Sequence, residues 1–255
     1  MRSVPSHRRG KMKKFAFTLA EVLITLGIIG IVVALTMPTL IQNHQKIVTV
    51  DCLKKEYSLL LQALKMYQAD NNIDFDEFDT QLPADEFMQT YVLPYIQAIG
   101  ECQGTSECYH KTPLAIDRKT KLVIDDKFYI LKDGSFLGIS RSSPSGKVFY
   151  IDINGAKGPN FAGKDIFFFY YVNKKTILYM DSNGCNVDLS KLESGLYPGG
   201  YSACYIPFTN YPRTILLGNS DRTCSKNANN INESGDACAA LIMLDGWKIE
   251  KDYPW

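Results

Sequence analysis

The chain has 255 residues with 28 Lys and Arg against 27 Asp and Glu, a net charge of +1. A hydrophobic fraction of 45% with 22% charged residues excludes disorder for the bulk of it. The near-zero net charge gives no broad phosphate-attracting field, so no nucleic-acid partner is expected. The length suffices for one large domain or two small ones.

Charge and apolarity are unevenly placed at the amino end. Residues 1–16 hold six cations (Arg2, Arg8, Arg9, Lys11, Lys13, Lys14) and no acid. From Phe15 to Ile41 the chain is apolar, broken only by Thr18, Glu21, Thr25, Thr36 and Thr39. At ~1.5 Å per residue this run crosses a ~30 Å hydrocarbon core. Basic residues before it and a large domain after it predict a cytoplasmic N-terminus and an exported bulk. A cleaved secretory signal fits poorly, because the run exceeds an h-region of about 7–15 residues and Ala34-Leu35-Thr36 is a poor cleavage site. A plain signal anchor fits the length and leaves Glu21 without a purpose.

The segment Ala16-Phe17-Thr18-Leu19-Ala20-Glu21-Val22-Leu23-Ile24 resembles the processing site of type IV prepilins and type II secretion pseudopilins. The resemblance continues through Leu26-Gly27-Ile28-Ile29-Gly30-Ile31-Val32 to Pro38 and covers about residues 12–45. It implies cleavage by a prepilin peptidase between Ala16 and Phe17, N-methylation of Phe17, and an assembly role for Glu21 and for the helix-bending Pro38. Ala16 departs from the glycine usual before the cut. The leader is long for the family, and Met12 would open a compact Met-Lys-Lys-Phe-Ala leader. Glu21 lies one helical turn from the ammonium that cleavage creates, and an acid in hydrocarbon needs a cation. The partner is its own terminus or, as the resemblance implies, that of a neighbouring subunit.

Without the six leader cations, 22 basic residues face 27 acidic ones, a charge near −5. From Gln45 to Ala69, Val50, Leu53, Tyr57, Leu60, Leu64 and Tyr67 recur at three- and four-residue intervals, predicting an amphipathic helix that docks a sheet. Lys54, Lys55, Gln62, Lys65 and Gln68 lie off the stripe. Phe17–Ala69 reads as one helix bent near Pro38 and ended by Asp70-Asn71-Asn72. Residues 83–99 read as a shorter helix weakened by Pro94. Beyond 120 the period changes. Leu122–Ile124, Lys127–Leu131, Phe136–Ile139, Lys147–Ile153, Ile166–Val172 and Thr176–Met180 read as strands of an antiparallel meander. Lys132-Asp133-Gly134 and Asn154-Gly155 supply its turns. Phe167 to Tyr171 is apolar on both faces, as in a strand covered on both sides. Residues 185–238 read as loop-dominated, with a last strand at Ala240–Leu244 or Trp247–Glu250. The order predicts an α+β fold. The resemblance makes it a pilin fold: leader 1–16, filament-core helix half 17–41, and head 42–255 including the amphipathic half 42–70. The stretch Asp152 to Asn160 and the end Trp247…Trp255 resemble large, uncharacterised prepilin-type proteins.

Seven cysteines in an exported domain predict disulfides with one left over. Cys102 and Cys108 enclose a five-residue loop that a local bridge would close. The last four allow three connectivities, of which Cys224–Cys238 with Cys185–Cys204 is favoured; Cys52 is the odd one. Asp152, Asn154 and Asp165 offer oxygens to Ca²⁺, but their spacing is not that of an EF-hand, and a turn between strands is the favoured reading. No Gly-x-Ser-x-Gly, P-loop, Gly-x-Gly-x-x-Gly or His-Glu-x-x-His occurs, and no enzyme is expected. The reading is a minor pilin or pseudopilin of a type IV pilus or type II secretion pseudopilus. It would be a single-pass inner-membrane protein before assembly, with the peptidase, other pilin subunits, an inner-membrane assembly platform and the lipid bilayer as partners. The alternative is a membrane-tethered adhesin whose 185–255 segment recognises a ligand.

Overall fold

The computed structural model describes residues 18–140, 146–158, 160–174, 193–199, 212–219, 222–229 and 235–255. The predicted strand Thr176–Met180, the processing pair Ala16 and Phe17, and Cys185 and Cys204 lie outside these residues. The chain divides between Gln45 and Lys46 into two units.

Helix α1 (Leu19–Asn71) is 53 residues long and is assigned as helix without interruption through Pro38. It supplies the described helix of the first unit and the first element of the second. Its C-terminus is closed by Asn72 in the left-handed region, at φ 50°, which carries the Ile73 N–H to Gln68 O at 3.2 Å. This six-to-one bond satisfies a carbonyl that the helix end would otherwise leave open.

In the second unit Val50, Leu53, Leu60 and Leu64 are buried, while Lys54, Lys55, Gln62 and Lys65 are exposed. The 3.6-residue period places the first group on one face and the second on the other. Tyr57 stacks on Phe169 at 5.2 Å, and Tyr67 meets Phe78 and Tyr91 edge-on at 5.4 and 4.8 Å. Glu56 is the exception, an acid 5% exposed within the stripe.

The predicted helix over 83–99 is shorter. α2 (Ala84–Phe87) runs into a π turn over Met88–Val92, closed by Leu93 N–H to Met88 O at 2.8 Å. Pro94 has no N–H to continue the ladder and disfavours helix just before it, so the chain leaves helix there. Residues Ala98–Gln103 then form strand β1, followed by the short helix α3 (Gly104–Cys108).

The sheet is a six-stranded antiparallel meander in the order β1 to β6, with β2 (Lys127–Leu131), β3 (Phe136–Ile139), β4 (Gly146–Asp152), β5 (Ile166–Val172) and β6 (Gly195–Pro198). β5 is buried along its whole length, between β4 and β6. Its side chains alternate between two cores. Phe167, Phe169 and Tyr171 join the α1 stripe, with Leu131, Leu137, Phe149 and Ile151. Ile166, Phe168, Tyr170 and Val172 join Phe128, Phe136 and Tyr109 on the opposite face. Leu122–Ile124 is not a strand of this sheet. Leu122 and Ile124 belong to that second core, as an extended segment whose backbone bonds run to Pro113 and the α3 turn.

The predicted C-terminal strand is also corrected. Cys238–Leu244 forms helix α5, and Trp247–Glu250 has no regular structure. An apolar run of seven residues carries neither period, and here it is helix, buried from Cys238 to Ile242. Helix α4 (Arg213–Leu216) precedes it, and Arg213 ties α4 to Asp245 (2.6 Å) and Asp252 (2.5 Å). The chain end is held by the buried Tyr253 hydroxyl, which donates to Gly163 O, and by Lys226 Nζ donating to Trp255 O at 3.1 Å.

Candidate functional site

The apolar half of α1 begins with a reciprocal cap. The Thr18 N–H and hydroxyl both donate to Glu21 Oε2 at 2.8 Å, and the Glu21 N–H donates to Thr18 Oγ1 at 3.2 Å. This is the Thr-x-x-Glu capping box, which satisfies backbone donors that a helix start leaves open. Sequence reasoning missed it, although Thr18-Leu19-Ala20-Glu21 spells it out.

Beyond the cap, the best 18-residue window has a mean hydropathy of 2.4 and none of it is buried. Leu19, Leu35 and Leu40 are 80, 74 and 66% exposed. The hydroxyls of Thr25 and Thr36 donate to their own helix, to Val22 O and Val32 O, each at 2.9 Å. With those donors satisfied internally, the two hydroxyls need no outside partner, which suits an apolar surrounding. The helix is long and apolar enough to span a membrane or serve as a signal anchor.

Among the described residues of the second unit, two disulfides are closed. Cys102–Cys108 links β1 to α3 with Cα atoms 5.4 Å apart, and Cys224–Cys238 pins the 222–229 loop to the start of α5 with Cα atoms 4.7 Å apart. Cys52 is free and half-buried, and burial pushes its thiol up. A turn further along, Lys55 bridges Glu56 (3.1 Å) and Asp133 of the β2–β3 turn. Burial pushes the Glu56 carboxyl up, while hydrogen bonds from Lys55 and Ser135 overcome partial burial to hold Asp133 well below the usual range.

The loop between β4 and β5 brings together the three residues considered for calcium. Asp152 Oδ1 accepts the N–H groups of Asn154 (3.0 Å) and Gly155 (2.9 Å), and its Oδ2 accepts the Tyr109 hydroxyl at 2.8 Å. Asn154 Nδ2 donates to Lys157 O at 2.7 Å and points at Asp165 Oδ1, 3.4 Å away. Asp165 Oδ2 accepts the Phe161 N–H at 3.1 Å. Gly155 sits at φ 58°, and a Cβ there would fall 2.0 Å from Gly134 O, so only glycine fits. Burial pushes Asp152 up to about 7 and Asp165 up to about 6.

These three residues alone fall short of the six to eight oxygens that Ca²⁺ takes. Both Asp152 oxygens are occupied by hydrogen-bond donors, and Asn154 presents nitrogen to Asp165. Among the described residues, no group of three or more His, Cys, Asp or Glu side chains is placed to hold a metal. The arrangement is a hydrogen-bonded turn built on the Asp-x-Asn-Gly pattern.

No curated protein and no solved structure matches the chain. A family model does, over residues 39–255, which takes in the docked half of α1 and the whole sheet unit. The chain therefore belongs to DUF6613, a family of unknown function.

Proposed function

We propose that the chain is a filament subunit of the type IV pilin and type II secretion pseudopilin class, cut between Ala16 and Phe17 and built into a fibre through the apolar half of α1. The observation that carries this reading is a fully exposed apolar helix whose one acid, Glu21, sits at its first turn. A helix apolar all round and covered by none of the described residues needs lipid or other helices around it. A bilayer serves before assembly and neighbouring copies of the same helix serve after it. The pilin label for the fold rests on the same reasoning: a long helix whose second half docks an antiparallel sheet matches what the N-terminal resemblance implies. In this reading the large disulfide-bonded sheet unit is that of a minor subunit, and an inner-membrane assembly platform and peptidase act on the chain.

The test is the intact mass and N-terminal sequence of the protein extracted from membranes of a host with a prepilin peptidase. An N-methylated Phe17 terminus is expected. A terminus near Met37 would make it a secreted protein, and an uncut leader would make it a tethered domain; either outcome defeats the proposal.

A further inference from the structure

A cavity of about 590 Å³ lies in the second unit, between the 110–114 segment and residues 156–158 and 160–161. This volume falls in the range of small-molecule sites. Leu114 and Phe161 give it an apolar floor, held in place by a parallel bridge between them. Ala156 and Gly158 form a wall with little side chain, which leaves the space open. His110 and Lys111 line the cavity and are exposed, so they stand on its solvent side.

The charge around it has one sign. Among the described residues, no acid lines the cavity. Lys157, exposed, lies between the two small wall residues, and the Arg118 guanidinium sits 5.3 Å over the Phe161 ring. Lys111 and Lys157 make no ion pair with any described residue. This local excess stands in a chain whose residues 17–255 carry a net charge near −5. The neighbouring carboxylates, Asp152 and Asp165, are buried in their own hydrogen bonds behind the loop.

We infer that this cavity binds a small organic anion: an apolar or aromatic body against Phe161 and Leu114, with a carboxylate or phosphate toward Lys111 and His110. The inference does not depend on the filament reading, since it uses residues of the second unit alone.

The test is ligand-observed NMR titration of the full chain in phospholipid nanodiscs with phenyl phosphate, benzoate, phenol and inorganic phosphate. Phenyl phosphate or benzoate should bind saturably at about 1 mM or tighter, and the stronger of the two identifies the anionic group. Phenol and inorganic phosphate should bind at least about tenfold more weakly. Lys111→Glu, an exposed change, should weaken the better anion about tenfold, and Ala156→Phe should block it by filling the space, whereas Lys65→Glu on α1 should leave it unchanged. Failure of both organic anions to saturate overturns the inference. So does phenol or inorganic phosphate binding as well as they do, or an equal loss on Lys65→Glu.

Discussion

Thr18 and Glu21 cap the first turn of α1 reciprocally, so the one acid of the apolar run has a structural partner within its own chain. Only Glu21 Oε2 is engaged by Thr18, which leaves Oε1 for a cation. The cap and the charge are separable, because glutamine serves in a capping box as glutamate does but carries no charge. Under the filament proposal, Glu21→Gln and Glu21→Val should both be cut and inserted normally, and both should lower filament yield about tenfold or more. Sheared-filament immunoblots would measure this. Wild-type yield from Glu21→Gln with loss in Glu21→Val would assign Glu21 to the cap and refute the charge-pairing argument.

The docking of α1 on the sheet rests on side chains that are fully buried. Leu60 and Leu64 are 1 and 0% exposed, and their neighbour Tyr57 stacks on Phe169 of β5. Leu60→Ala or Leu64→Ala should each destabilise the second unit by about 2–5 kcal/mol, whereas Lys65→Ala on the opposite face should cost within about 0.5 kcal/mol. Urea unfolding followed by tyrosine fluorescence would show it. Equal midpoints for Leu64→Ala and Lys65→Ala would contradict the docking.

The stripe of α1 was legible because its burial is one-sided and long, and β2, β3 and β5 were legible because turn residues bracket them. What escaped had physical causes. β1 is an edge strand, and its residues Ala98-Ile99-Gly100-Glu101-Cys102-Gln103 are mostly exposed, so burial imposes no alternation on them. β6 is four residues long with Gly195 and Pro198 at its ends, a composition that reads as loop. Cys238–Ile242 is buried residue after residue and carries no period. Glu56 lies in an apolar stripe because Lys55 and the β2–β3 turn come to it, a tertiary arrangement that local spacing does not encode. The cavity above Phe161 joins segments some forty residues apart, and none of its residues forms a motif.

The two disulfides among the described residues differ in the loop they close: their cysteines are 6 and 14 residues apart. Cys224 and Cys238 are both fully buried, at 0% exposure. Replacing them with a Ser pair should cost about 3 kcal/mol from unfolded-chain entropy, with a further cost for two hydroxyls in an apolar site. The Cys102→Ser/Cys108→Ser pair should cost less, by about 0.6 kcal/mol in loop entropy alone. Thermal melts of the two double variants provide the comparison, and a smaller loss at 224/238 would invert the expected order.

Asp152 gives the second unit a pH dependence of definite sign. Burial, the largest influence, lifts its carboxyl from 3.8 to about 7 against the hydrogen bonds from Tyr109, Asn154 and Gly155 that hold it down. A carboxyl raised in the folded state binds its proton more tightly there than in the unfolded chain. Its contribution is therefore whole below about pH 4 and is lost as pH rises toward 7. Asp165, raised to about 6, acts in the same direction, and its charge adds to the cost at Asp152. Asp152→Asn removes the titration while keeping an acceptor for the Asn154 and Gly155 N–H groups. Relative to the native protein, that variant should gain roughly 3 kcal/mol between pH 4.5 and pH 8. Urea midpoints of both proteins at the two pH values decide it. Curves that stay parallel would mean that Asp152 is ionised throughout, with the Tyr109 and backbone donors outweighing its burial.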